Sequence, residues 1–368
     1  MKTITAAVAR NAGEEFSIEP LTLDDPRHDE VLVKIVGVGI CHSDLAAKDQ
    51  HLPVELPAVL GHEGAGIIEK VGTAVTDLTP GDHVVLSFSF CGHCDSCESD
   101  HPSYCNQFFP LNFMCSREDG STALKSEETS IASHFFGQSS FATYAIAKRS
   151  SAIKVRKDAP LELLGPLGCG VITGAGSIMK AMACEAGSRV VIAGGGAVGL
   201  SAVLGALVQQ CSTIIVVEPH ASRRELALSL GATHVIDPFQ TENLSEALMT
   251  IVPEGLNYAL DTTSLQTVMD GIMPTMSKGG TIGLVGVPHP DAPKLSFDVI
   301  TLLTFGVKVM GITEGDVNPN TFIPELIDLH MENRFAFDKL CKTYAFENIN
   351  TAVEDQGKGE CVKAVLTF

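Results

Sequence analysis

At 368 residues the chain exceeds the roughly 250–300 residues at which single hydrophobic cores stop growing, so two domains are expected. Its formal charge of −19 opposes a grip on phosphate backbones, which needs clustered Lys and Arg, and excludes nucleic acid as a partner. No run reaches the roughly 18 uncharged apolar residues needed to cross a bilayer, and Arg10, Glu14 and Glu15 stand where a secretory segment would be apolar; a soluble, cytoplasmic protein with no membrane partner is expected.

Residues 1–90 carry short Val-, Ile- and Gly-rich runs such as VLVKIVGVG (31–39) and GAGIIEKVG (64–72), which predict a barrel-like unit of short strands. Residues 91–140 read as loop, with a cysteine cluster and then a polar stretch, REDGSTALKSEETS (117–130), expected on the surface. From about 171 the pattern becomes buried strand, glycine turn and helix: RVVIAGGGAVGLSAVLGALV (189–208), TIIVVE (213–218), SRRELALSLGA (222–232), HVID (234–237), YALDTT (258–263) and GTIGLVGV (280–287). Continuous apolar strands alternating with helices predict a doubly wound parallel sheet. Residues 313–368 return to mixed helix and strand and are expected to rejoin the first domain, giving a division into 1–170, 171–312 and 313–368.

Gly194, Gly196 and Gly199 form G-x-G-x-x-G between a strand and a helix, where a tight turn must let the backbone approach a pyrophosphate. Glu218 ends the next strand, 19 residues after Gly199, where an acid accepts hydrogen bonds from the adenosine ribose and repels a 2′-phosphate. NAD is therefore favoured over NADP, with Arg223 and Arg224 as either solvated helix charges or contacts to the adenosine side.

Cys91, Cys94, Cys97 and Cys105 follow C-x2-C-x2-C-x7-C on a Gly- and Ser-rich loop. Four thiolates so spaced can close a tetrahedral zinc site with no open position, a structural staple; an iron–sulfur cluster is the competing reading. Cys41 in GICHSD (39–44), His62 in GHEGAG (61–66) and Cys169 in GPLGCG (165–170) are further potential ligands, but they lie too far apart in sequence for spacing to join them.

GHEGAGIIEKVGTAV (61–75), the four-cysteine loop and the GGGAVG turn, in that order, resemble the zinc-containing medium-chain alcohol dehydrogenases along the whole chain. Phrases such as CHSDLAAKDQHLP, FFGQSSFATYA and LELLGPLGCG look most like the aryl-alcohol (benzyl alcohol) branch. The resemblance implies a GroES-like β-barrel catalytic domain plus a Rossmann coenzyme domain, two zinc ions per chain, and NAD-dependent oxidation of an aryl or allylic primary alcohol to its aldehyde. It implies that Cys41, His62 and Cys169 bind the catalytic zinc, that Glu63 lies behind the metal, and that Asp44 orients the ligand histidine. Zinc would lower the pKa of the alcohol by several units before hydride passes to the nicotinamide.

Further roles follow from the same likeness. Ser43 would take the alcohol proton, but Ala46 stands where many members end that relay with a histidine. His51 fits a relay base or the mouth of the substrate pocket, and Phe88 fits an aromatic pocket wall. His42, Thr173, Val285 and Lys363 are expected near the coenzyme, His42 and Lys363 toward its phosphates. A terpene alcohol such as geraniol is an alternative substrate, glutathione-linked formaldehyde oxidation a second, and a catalytically silent structural or redox-sensing relative a reading of another class. Family habit adds a homodimer or homotetramer.

Overall fold

The computed structural model describes residues 1–127, 129–288 and 291–368; Glu128, in the polar stretch 117–130, lies outside them. The chain divides into two compact units: 1–169 with 318–331 and 338–368, and 170–317 with 332–337. The return segment expected at 313–368 is thus shared, its residues 313–317 and 332–337 belonging to the second unit.

In the first unit, a seven-stranded sheet runs Ala152–Val155, His83–Leu86, Glu63–Val71, Glu30–Gly39, Lys363–Thr367 and Cys341–Ala345, with Tyr144–Lys148 also pairing on Glu30–Gly39. A five-stranded sheet contains Lys2–Ala9 and Ser17–Leu23. Alternation is weak along Glu30–Gly39 because nearly every residue is buried, as in a strand covered on both faces. Its register matters most: Gly39 pairs with Glu63 on one side and with Val365 on the other. That pairing delivers Cys41, His62 and Lys363 to one end of the sheet. The glycines of this region permit close approach, since a Cβ on Gly165 would stand 2.1 Å from the Glu63 carbonyl oxygen.

Residues 91–140 are more ordered than the loop expected from sequence. They include the helices Asp95–Glu98 and Phe108–Phe113 and a hairpin, Leu124–Ser126 with Thr129–Ile131. Nor is the polar stretch wholly superficial. Arg117 is 8% exposed and donates from Nε and Nη2 to both carboxylate oxygens of buried Glu30, at 2.7 and 2.9 Å. A buried ion pair needs such bidentate geometry to offset desolvation, and neither residue type announces this in sequence.

The second unit is a six-stranded parallel sheet in the order His234–Ile236, Thr213–Val217, Arg189–Ala193, Leu256–Asp261, Met276–Leu284, Lys308–Gly311. Numbered within the unit, this is 3-2-1-4-5-6, the order that binds dinucleotides where the strand sequence reverses, beside Arg189–Ala193. Val190, Val191, Ile192 and Ala193 are all fully buried, so both sheet faces are covered, one by the cluster that includes Leu248, Met269 and Ile272. No helix of the described residues is long and apolar enough to cross a membrane.

Candidate active site and metal centres

Asp44 sits in the first turn of the helix His42–Lys48 and is fully buried. Its Oδ2 accepts the Cys41 amide at 2.9 Å; its Oδ1 accepts the Gly61 amide at 3.0 Å and meets His62 Nδ1 at 2.8 Å. An ionised carboxylate can only accept, so Nδ1 donates to Asp44, and Nε2 is the nitrogen left to bind a metal. Nε2 is buried and has no hydrogen-bond partner. Around it, donor atoms of Cys41, His62, Glu63 and Cys169 all lie within 4.8 Å of one another. A buried acceptor aimed at two thiols, with nothing donating to it, fits a divalent cation of the zinc type.

Charges around this group are strongly coupled. Cys169 chiefly, with Lys363 and His62, holds the Cys41 thiol well below its usual range against the effect of burial. Burial works to lower the His62 pKa, but Asp44 and then Cys41 outweigh it and raise it. Glu63 is pushed up to about 7 by burial, although Lys363 pulls the other way.

Lys363 departs from expectation. It is 2% exposed and donates to Glu63 Oε1 at 2.9 Å and to the Ile40 carbonyl at 3.0 Å. The antiparallel register of Lys363–Thr367 on Glu30–Gly39 turns it inward. Here it is an internal counter-charge beside the ligand group, not a solvent-facing phosphate contact. Phe88 also differs: it is 1% exposed and packs on Phe90 and Phe108, so it backs the aromatic cluster and opens no face to a solvent-filled pocket. Ser43 is half-buried, and His42 and His51 are exposed, His42 opening the helix and His51 lying just beyond it.

Sequence reasoning left two groups unassigned. Phe136 stacks on the His62 imidazole with centroids 4.3 Å apart at 21°, and Phe135 meets it edge-on at 5.5 Å and 83°. Gln138 donates from Nε2 to the His62 carbonyl at 2.8 Å and accepts the Gly64 amide at 3.1 Å, clamping the backbone on both sides of Glu63. The only available signal was the phrase FFGQSS, which has no periodicity to place it.

The four-cysteine loop converges as its spacing implies. Sulfur separations are 3.9 Å for Cys91 and Cys97, 3.5 Å for Cys94 and Cys97, and 4.0 Å for Cys94 and Cys105. A tetrahedron of thiolates at Zn–S near 2.3 Å has edges of about 3.8 Å, so one ion fits, and a multi-iron cluster would hold the sulfurs further apart. Amides of Asn106 and Cys97 pull Cys94 down to about 6, while burial pushes Cys97 up to about 12. Four thiolates this close repel one another and need a cation to ionise together.

In the second unit, a Cβ on Gly199 would fall 1.8 Å from the Gly194 carbonyl oxygen, which explains the glycine where helix Ala197–Val208 packs on the turn. A Cβ on Gly196 would meet nothing within 4 Å, leaving open space at an uncapped helix N-terminus, the cradle a pyrophosphate requires. Glu218 is 3% exposed; its carboxylate accepts the Gly195 amide at 2.6 Å and the His220 amide at 2.9 Å. Arg224 donates to the carbonyls of Glu218 and Pro219 and pairs with Asp237 at 3.0 Å, whereas Nε of Arg223 is buried with no hydrogen-bond partner. Thr173 donates to Glu314 at 3.3 Å, and the Val285 amide is bound to the Asp261 carbonyl at 2.9 Å.

These two units and their donor sets define a zinc-containing dehydrogenase. Residues 27–157 match the family described as alcohol dehydrogenase GroES-like domain, and residues 197–332 the zinc-binding dehydrogenase family. The chain belongs to the zinc-containing medium-chain alcohol dehydrogenases, with a GroES-like domain and a Rossmann-like domain. It is 47% identical over 364 residues to geraniol dehydrogenase of Castellaniella defragrans, covering 99% of this chain and 97% of that protein. Among solved structures, benzyl alcohol dehydrogenase of Acinetobacter calcoaceticus superposes with a TM-score of 0.96 at 45% identity, with all of both chains covered. An alcohol dehydrogenase zinc-binding domain protein of Burkholderia ambifaria gives 0.97 at 49%, covering 100% of this chain and 99% of that one.

Replacing Asp44 by Asn removes the acceptor charge that fixes the His62 tautomer. The affinity of the Cys41–His62–Cys169 group for zinc should fall about 10- to 100-fold in a chelator competition. Unchanged affinity would show that Asp44 does not orient the ligand.

Proposed function

We propose that the chain oxidises primary alcohols whose carbinol carbon is attached to an aromatic ring or a C=C bond, reversibly, using NAD and two zinc ions. The observation that carries the substrate class is the run of aromatic rings beside the ligand imidazole. From His62 it passes through Phe136 to Phe113 (5.0 Å), and on to Phe108 (6.2 Å) and to Phe109 (5.2 Å), which is 58% exposed. A flat, conjugated substrate gains offset and edge-on ring contacts on the accessible rings of this run, Phe108, Phe109 and Phe113, and a short aliphatic alcohol does not. The relatives agree with a benzylic or allylic class and do not choose within it, being named for benzyl alcohol and for geraniol at nearly equal identity. An intact set of ligands at both metal groups weighs against a catalytically silent relative.

Zinc, when bound by Cys41, His62 and Cys169, supplies the positive charge that lowers the alcohol's pKa. The two thiolates cancel the dication, so the group can favour an anionic alcohol oxygen and still release a neutral aldehyde. Asp44 holds the Nδ1 proton of His62 and keeps the ring turned so that Nε2 faces the metal position. Ser43 Oγ accepts the alcohol proton, and with Ala46 at the position of the usual relay histidine, the proton passes onward to solvent or to exposed His51. NAD would supply the hydride acceptor, and Cys91, Cys94, Cys97 and Cys105 would hold the second zinc as a staple. Thiol ligands must stay reduced, which suits the cytoplasm.

The preference for NAD rests on Glu218. Two amide donors leave its carboxylate, with about four lone-pair sites, able to accept the ribose hydroxyls. Its charge repels a 2′-phosphate, and Arg224 is engaged elsewhere.

A homodimer through the edge of the parallel sheet accounts for an otherwise costly surface. Val299, Ile300 and Leu303 are 61–78% exposed on the helix Val299–Phe305, which leads directly into the edge strand Lys308–Gly311. An apolar patch beside the last strand of a sheet invites a second copy by two-fold pairing.

A panel of benzyl, cinnamyl, geranyl and ethyl alcohols ranked by kcat/KM should place ethanol last, at least about 100-fold below benzyl alcohol given roughly 1–3 kcal/mol per apolar group buried; a preference for ethanol would refute the substrate class. NAD should outperform NADP, and Glu218→Ser should narrow that preference at least about fivefold by removing a like charge worth roughly 1–4 kcal/mol. Faster turnover of the native chain with NADP would reverse the assignment. Sedimentation velocity should give a dimer or larger assembly that Leu303→Asp dissociates; a native monomer would contradict the edge-strand interface.

A further inference from the structure

The imidazole of His62 is held at three places, and only the Asp44 hydrogen bond has a recognised purpose. A single hydrogen bond at Nδ1 leaves the ring free to tilt about that contact. Phe136, 4% exposed, lies flat against the imidazole, and Phe135, fully buried, closes on both rings, at 5.0 Å and 75° to Phe136.

This arrangement is sterically disfavoured in the backbone. Phe136 has φ 50° and ψ 36°, and His134, two residues earlier, has φ 68°, the left-handed region that bulky side chains rarely occupy. The surroundings hold the segment there. The Phe135 amide is bound to Ser139 Oγ at 2.9 Å, Ser139 Oγ donates to the Val59 carbonyl at 2.6 Å, and Gln138 ties the next turn to the His62 carbonyl. Strained residues kept in place by several contacts point to a function, and what this one delivers is the face of a phenyl ring to the ligand imidazole.

We propose that Phe136 is a positioning residue that locks the plane of His62 so that Nε2 stays aimed at the metal, a role that rests on the reading of Cys41, His62 and Cys169 as zinc ligands. The electronics support the geometry. An imidazole bound to a dication takes on positive character, and the face of a phenyl ring is negative, so the stack is stronger with metal bound than without. Loss of the ring therefore acts on retention of that metal. A side chain that merely filled space would act on folding.

The test uses the full, zinc-loaded chain and the rate at which 4-(2-pyridylazo)resorcinol takes up its zinc. Two phases are expected, and Cys169→Ser, which loses one, assigns the phase of the Cys41–His62–Cys169 group. Phe136→Leu should speed that phase about three- to tenfold, the factor for one aromatic pair, and leave the phase of the four-cysteine loop unchanged. Phe136→Met, an independent variant without a ring, should do the same, and Phe136→Tyr should restore slow release. Equal rates for native chain and Phe136→Leu, or equal acceleration of both phases, would overturn the positioning role. A native chain with a single phase that survives Cys169→Ser would instead overturn the metal-site reading beneath it.

Discussion

The hydrogen bond between Asp44 and His62, buried and 2.8 Å long, is the contact on which the rest of the site depends. It settles which imidazole nitrogen is protonated, and so which one can bind a metal. It also joins two stretches that sequence leaves separate, the helix opening at His42 and the strand opening at Glu63, and the Cys41 and Gly61 amides share the same carboxylate. Without it the buried imidazole beside two thiols would lack the partner that fixes its orientation and its tautomer.

The two candidate metal groups differ in their donor sets. The four-cysteine loop surrounds one position with four sulfurs and leaves no place for substrate, as a staple should. The Cys41–His62–Cys169 group has three conventional ligands, and its near neighbour Glu63 is engaged by Lys363. A buried lysine is expensive to desolvate, and Glu63 and Cys41 keep it charged against that cost. Its ammonium tempers the negative charge that Glu63 and two thiolates would otherwise place behind the reaction.

How much was legible in sequence follows from the range of each interaction. The glycine turn, Glu218 and the four cysteines act over short spacings, so their pattern could be read directly. Strands whose residues are apolar on both faces, such as Arg189–Ala193, announced a parallel sheet for the same reason. Cys41, His62 and Cys169 meet only through the register that sets Gly39 against Glu63, and no local pattern carries that pairing; a family likeness suggested them. Lys363 was misplaced because the pairing of the last strand turns inward a side chain that is usually at the surface. Phe136 was invisible because its backbone conformation, and with it the direction of its ring, belongs to an irregular segment held by distant partners.

The proposed reaction turns on one Lewis-acidic ion held by two sulfurs and one imidazole, with a coordination position left for the alcohol. Anomalous diffraction at the zinc absorption edge from crystals of the native protein tests it most directly. Two zinc peaks per chain are expected, one enclosed by four sulfurs and one touching Cys41, His62 and Cys169 with a non-protein ligand in the fourth place. Crystals of active enzyme with no peak at the second group, or with a fourth side chain closing it, would contradict the account.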